Sequence, residues 1–323
     1  MIKQYFLFTT LIISALFLTS VQAEDDLLKK PDVQAFIEDL VIHDHFKRQE
    51  IEAIFRDVQP MPEVIHHMQH PAEAFPWDTY QNLFVTELRI SKGAEFLLAN
   101  QLIFNQTEST YHVPKYIIAA ILGVESNYGT HIMKYRSIDA LSNLAFNYPS
   151  RKTFFTSELK SFLELTRKYD LNINQIYGSY AGAIGPAQFM PDSIMSYAVI
   201  THQDLDLNIP ENWIESIGNY FLKKGWRAGE PLVTPIACPT TVPANIIANS
   251  TKHFYTPQEL SDANISTKAK TDAMFLELQS HSGPQCWLAY HNFAVIMRYN
   301  SSPLYAMAVV ELSEKMASSF GGI

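Results

Sequence analysis

The stretch PKYIIAAILGVESNYG, residues 114–129, constrains the fold more than any other, because it sets a carboxylic acid on the apolar side of a helix. Pro114 suits the first turn of a helix, where its missing N–H is not needed. Ile118, Ile121, Leu122 and Glu125 then fall at i, i+3, i+4 and i+7, so Glu125 continues the hydrophobic stripe and points inward or into a cleft. Ionised carboxylates are seldom fully buried unless paired. Desolvation there would raise the carboxyl pKa and suit Glu125 to general-acid work. A glutamate hydrogen-bonded inside a core fits the position equally well. Gly129 is a natural helix stop one turn further on, which leaves the acid near an open end.

About fifty residues later comes GSYAGAIGP, residues 178–186, in which Gly178, Gly182 and Gly185 would let backbone approach a ligand closely. Ser179 in this segment and Gln188 just after it can both donate and accept hydrogen bonds, which suits sugar hydroxyls and acetamido groups.

The 323 residues are 47% hydrophobic and 18% charged, enough for one large or two modest cores. The formal charge of −9 argues against nucleic acid or an anionic membrane surface as the main partner. Residues 1–23 have the form of a secretory signal: Lys3, an apolar run through Leu18, and Val21-Gln22-Ala23 before an acidic start to the mature chain. No cysteine near that point offers a site for lipid attachment. A soluble, periplasmic protein is expected. Cys238 and Cys286 are the two cysteines; after export a disulfide and a pair of free thiols both remain open readings.

Helical spacing over residues 31–58 predicts a helical pair, with Val33, Phe36, Ile37, Leu40 and Val41 on one stripe and Ile51, Ile54 and Phe55 on another. The Pro-rich stretch 60–77 reads as a loop. Its His66, His67 and His70 invite a metal reading, but Pro71 follows and no carboxylate-histidine motif accompanies them, so a polar loop is expected. Helical patterns run over residues 86–105 and from Pro114 to about Trp226. Residues 230–285 are rich in Pro, Thr, Ser and Asn, with strand-like LVTPIA and TTVPANII, and AMAVVELSEKMASSF closes the chain as a helix. The fold class is mainly α with a small β component. The divisions are an N-terminal helical region (24–105), a catalytic core (106–229), a β-containing insertion (230–286) and a return to the core (287–323).

GVESNYG, FNYPSRKTFF, GSYAGAIGPAQFMPDS, NYFLKKGW and RYNSSPLYAMAV, in this order, resemble the lytic murein transglycosylase B family, over roughly residues 75–230 and 287–315. The resemblance implies a lysozyme-like catalytic core. It also implies cleavage of the β-1,4 bond between N-acetylmuramic acid and N-acetylglucosamine in peptidoglycan, with a 1,6-anhydro product. The family's single catalytic glutamate falls on Glu125, as acid and then base. Substrate contacts fall on Ser179, Gln188, Arg151, Tyr220, Tyr299, Asn300 and Tyr305, and more loosely on Tyr80; core packing is the alternative for each tyrosine, and for Tyr80 above all.

Two departures stand out. Where a relative carries a calcium loop, ITHQDLDLNIPENW begins with Ile200 in place of a ligand Asp and is shorter, so no metal or cofactor is expected although Asp204 and Asp206 remain. The missing lipid-attachment cysteine removes support for membrane anchoring. The expected partner is the peptidoglycan glycan strand, with other cell-wall enzymes as further candidates and a monomer as the working state. A muramidase hydrolysing the same bond and a non-catalytic peptidoglycan-binding protein are the competing readings.

Overall fold

A computed structural model of the chain describes residues 27–69, 75–200, 205, 209–248, 250–265 and 269–320. The signal-like segment, His70, Asp204 and Asp206 lie outside the described residues. The chain divides into two compact units, Met1–Val58 and Gln59–Ile323. In the first, α1 (Pro31–His43) and α2 (Arg48–Arg56) form the expected pair, burying Val33, Phe36, Ile37 and Leu40 from one helix and Ile51 and Phe55 from the other.

The second unit begins well before residue 106. Gln59 and Met61 donate main-chain N–H groups to the buried side chains of Asp139 and Asn143 at 3.0 and 3.1 Å, and Asn143 returns a bond to the Gln59 carbonyl at 2.8 Å. These bonds attach the segment to the catalytic body. The helices that follow are α3 (Pro62–Gln69), α4 (Trp77–Phe84), α5 (Glu87–Ala99), α6 (Gln101–Tyr111) and α7 (Lys115–Ser126). The stretch read as a loop therefore contains a helix, because Pro62 opens α3 where its missing N–H costs nothing. The helical patterns over 86–105 form two helices, with Asn100 between them.

The chain continues through β1 (Tyr135–Arg136), α8 (Ser137–Asn147), α9 (Lys152–Lys168), β2 (Tyr177–Gly178), α10 (Pro191–Tyr197) and α11 (Pro210–Lys223). Then come β3 (Val233–Ile236), α12 (Ala244–Ala248), α13 (Pro257–Asp262), β4 (Met274–Leu278), β5 (Gln285–Ala289), α14 (His291–Ile296) and α15 (Pro303–Phe320). β1 and β2 form a short antiparallel ladder that sets Tyr135 opposite Gly178. The other sheet is antiparallel in the order β3-β5-β4. Pro235, which cannot donate to a ladder, sits on edge strand β3. TTVPANII, read as strand-like, supplies helix α12 instead.

α7 is buried from Ile117 through Val124 and packs against α5, α6, α11 and α15. Its large apolar side chains contribute about 2 kcal/mol each by leaving water. The small sheet shows the two-residue alternation of a strand buried on both faces. Phe275, Cys286 and Leu288 join a separate cluster with Ile246, Tyr255, Leu260 and Ile265, while Trp287 of β5 meets Trp77 of α4 edge-on at 6.4 Å. Cys238 and Cys286 are joined by a disulfide, which resolves the open cysteine reading.

α9 and α10 meet at a buried acid. Glu158 is 6% exposed and its Oε2 accepts the Asp192 N–H at 3.0 Å. Burial pushes its carboxyl up to about 7, against the pull of that N–H. The folded value lies above the unfolded one, so the native state holds the proton more tightly. Stability from this group is present below the unfolded value and is lost as pH rises to about 7. Glu158→Gln should therefore stabilise the protein by roughly 1–2 kcal/mol at about pH 8 and not at about pH 4, measured by denaturant unfolding. Equal effects at both pH values would contradict this.

Candidate active site

Glu125 stands in the last turn of α7, partly buried. α7 ends at Ser126, earlier than the predicted stop at Gly129, because Asn127 (φ 49°) and Tyr128 (φ 62°) are already left-handed, with Gly129 (φ 78°) third in the series. Asparagine tolerates this conformation, but for tyrosine it is unusual and costs about 1–3 kcal/mol. The turn satisfies itself: Tyr128 N–H bonds the Leu122 carbonyl at 3.0 Å, Gly129 N–H bonds Ser126 Oγ at 2.9 Å, and His131 N–H bonds the Ser126 carbonyl at 2.9 Å.

Tertiary packing holds Tyr128 in place. Its buried phenol donates to the Arg89 carbonyl of α5 at 2.8 Å. A Cβ on Gly93 or Gly123 would fall 2.3 or 2.7 Å from the phenol oxygen. Two helices are thus pared to glycine so that this ring can pass between them and brace the turn behind Glu125.

On the other side of the acid, Tyr305 of α15 donates its phenol to Glu125 Oε1 at 2.7 Å. Tyr299 lies nearly parallel to Tyr305, with ring centroids 6.5 Å apart, and donates to the Ala187 carbonyl. Tyr220 meets Tyr299 edge-on at 5.0 Å and donates to the Arg298 carbonyl. Phe189 contacts both of these rings. Burial pushes the phenols of Tyr299 and Tyr305 well above their usual range, and the nearby Glu125 charge acts in the same direction. Both remain protonated donors.

Tyr80 is 2% exposed, packs on Phe84 at 4.7 Å and lies close enough to Tyr305 for their phenols to interact electrically. Gln81 on the same helix donates to Glu311 of α15 at 2.5 Å. Tyr80, Tyr220 and Tyr305 are thus almost completely covered by protein. They line the protein side of the acid, with little ring surface exposed.

Ser179 N–H bonds the Ala183 carbonyl at 2.9 Å, and its Oγ accepts the Ala183 N–H at 3.2 Å. Gln188 (φ 50°) folds its amide back to the Gly185 carbonyl at 2.8 Å and touches Met133 Sδ at 3.3 Å. The glycines between them are required by protein packing: a Cβ on Gly182 would fall 2.4 Å from Leu141, and one on Gly185 2.4 Å from Trp213. Asn300 Oδ1 accepts the Ser302 N–H at 3.0 Å, just before α15. Arg151 is exposed at the start of α9, its guanidinium 4.1 Å from the Phe154 ring centre. Glu125, Tyr299, Tyr305, Tyr220 and Tyr80 therefore form one connected group. Ser179 and Gln188 line a neighbouring loop that reaches this group through Ala187.

The family profile "Transglycosylase SLT domain" matches residues 29–314. The chain belongs to this transglycosylase family. It is 32% identical over 313 residues to the membrane-bound lytic murein transglycosylase B of Escherichia coli, covering 92% of this chain and 86% of that one. The E. coli lytic transglycosylase Slt35, solved in complex with calcium, superposes with a TM-score of 0.82 at 32% identity, over 91% of this chain and 95% of that one. SltB3 of Pseudomonas aeruginosa, solved with NAG-NAM-pentapeptide, gives 0.74 at 26% identity, over 88% and 78%. The present chain is accordingly a lytic murein transglycosylase, and its helical body is the lysozyme-like fold of these enzymes.

Among the described residues, no group of three or more His, Cys, Asp or Glu could hold a metal, and no helix is long and apolar enough to cross a membrane. A cavity of about 510 Å³ lies between Leu122, Tyr128, Met133, Gly185 and Trp213.

Tyr128, inside ESNYG, packs against the turn that carries Glu125, a contact the helical spacing does not reveal. The signal was an aromatic residue directly after a helix end, with glycines inside two helices. Gly123→Ala in this transglycosylase should displace the Tyr128 phenol, lower stability by about 1–3 kcal/mol and reduce turnover. Thermal unfolding and muropeptide release, measured together, check this; unchanged turnover would show that the Tyr128 brace does not matter to Glu125.

Proposed function

We propose that Glu125 supplies both proton transfers when this transglycosylase cleaves the β-1,4 bond between N-acetylmuramic acid and N-acetylglucosamine. Protonated Glu125 gives its proton to the glycosidic oxygen as the C1–O bond breaks, with the substrate's own N-acetyl group assisting at C1. The resulting carboxylate takes the proton of the muramic C6 hydroxyl, whose oxygen bonds C1 and closes the 1,6-anhydro ring. The carboxylic acid is thereby regenerated. Water is not consumed.

The observation that carries this reading is the 2.7 Å bond from Tyr305 to Glu125 Oε1. With the phenol donating its O–H to Oε1, Oε2 is the oxygen left to carry the carboxyl's own proton toward the glycan. That arrangement aligns one oxygen for transfer, which general acid catalysis rewards. The bond also stabilises the carboxylate formed after the first transfer. Other buried acids have partners of their own: Glu158 accepts from Asp192, and Glu311 from Gln81. One carboxyl is enough because the nucleophile is part of the substrate, whereas the most common glycosidases need two.

Ser179, Gln188, Asn300 and Arg151 are the groups proposed to meet the glycan, with Tyr299 at the boundary between wall and cleft. Tyr80, Tyr220 and Tyr305 act by positioning. The chain is read as a periplasmic monomer acting on glycan strands, with no step routed through a metal. The bound NAG-NAM-pentapeptide of SltB3 supports a strand that carries stem peptides.

Digestion of purified peptidoglycan by the mature protein, followed by mass spectrometry, tests the chemistry. Anhydro-muropeptides are expected, and Glu125→Gln should release less by a factor of at least about 10². Products heavier by one water would overturn the reading in favour of hydrolysis. Full activity in the variant would remove Glu125 from the mechanism.

A further inference from the structure

Three rings outside the Glu125 group converge beside Ser179. His67 of α3 lies 5.2 Å from Tyr180 and 6.4 Å from Tyr135, between ring centroids. Tyr135 is paired with Gly178 across the β1–β2 ladder, and Tyr180 follows Ser179 in the turn closed by the Gly182 N–H on the Ser179 carbonyl at 2.9 Å. The imidazole is exposed and both phenol rings are half-buried.

The fold does not require this ring cluster to seat α3. The Asp139 and Asn143 bonds to Gln59 and Met61 already do so, and Val64 of α3 is fully buried. The nearest buried charge is internally satisfied: Arg136 holds Asp139 with two bonds, at 2.7 and 2.8 Å. What remains is an aromatic shelf on a braced ladder.

The shelf is continuous with the loop proposed to meet the glycan. Tyr180 is the residue after Ser179. Tyr135 lies two residues beyond Met133, whose sulfur touches Gln188.

We propose that His67, Tyr135 and Tyr180 form a distal subsite for the glycan strand, on which a sugar remote from the scissile bond rests its C–H face. The inference rests on the peptidoglycan reading above and extends it to substrate length. Rigid amphipathic rings suit a pyranose, whose faces are apolar and whose rim is hydroxylated; the rings give contact area at little entropic cost while the phenol and imidazole edges bond the rim. Binding energy from sugars away from the reacting centre can be used to hold the scissile bond against Glu125.

The test uses full-length protein carrying Glu125→Gln, which prevents turnover, and isothermal titration with N-acetylglucosamine oligomers of increasing length. Affinity should rise with length. Adding His67→Ala and Tyr180→Ala should remove the last part of that rise, weakening the longest oligomers by about three- to tenfold relative to the shortest. His67→Phe, which keeps a flat ring, should retain the rise. Thermal unfolding of each variant checks that α3 stays seated. Loss of affinity in equal proportion at every length, or at none, would overturn the subsite. Failure of the Glu125→Gln protein to bind any oligomer would overturn the glycan reading itself, so the two failures are distinguishable.

Discussion

The site depends on a hydrogen bond between two groups that are costly to bury. Glu125 lies at the end of an apolar helix, where an unpartnered carboxylate would be heavily penalised, and Tyr305 supplies a donor at 2.7 Å. In the proposed mechanism this acid releases a proton and then recovers one, with the phenol donor beside it throughout. Around this pair the structure is closely packed: the Tyr128 brace on one side and, on the other, Tyr299 parallel to Tyr305 and edge-on to Tyr220.

The small sheet takes part in that arrangement. Trp77 N–H donates to the Gln279 carbonyl at 2.7 Å, and the Asp78 carboxylate at the head of α4 meets His281 at 2.9 Å. α4 is therefore tied at its start to the β4–β5 turn, and further along to α15 by Gln81. Tyr80, carried between these ties, is held against Tyr305. The Cys238–Cys286 bond fastens the start of the insertion to β5, the strand at the centre of this sheet. Residues far from Glu125 in sequence thus fix the tyrosine that aligns it.

The acid itself was legible in the sequence, because a helical stripe is a local property and Glu125 falls on it by simple spacing. Its surroundings were less so. Gly129 is a reasonable helix stop by propensity, yet the helix ends three residues earlier, because the turn is held by contacts with α5 that no local rule contains. The same holds for Gly182 and Gly185: glycine announces a close approach but does not say to what, and here Leu141 and Trp213 are the neighbours. Tyrosines quoted in family motifs read as sugar contacts, but whether a ring faces solvent depends on the helix packed over it. α3 was missed because a proline-rich stretch reads as a breaker unless its proline is recognised as an opener. The disulfide stayed one of two open readings, since pairing requires that two residues 48 apart in sequence meet.

The most direct measurement is a pH titration of the Glu125 side-chain carboxyl by carbon NMR, in the unaltered protein and in Tyr305→Phe. Removing a donor to the charged form should move the midpoint upward by about one pH unit. Coincident midpoints, or a shift to lower pH, would contradict a phenol that governs the proton of the catalytic acid.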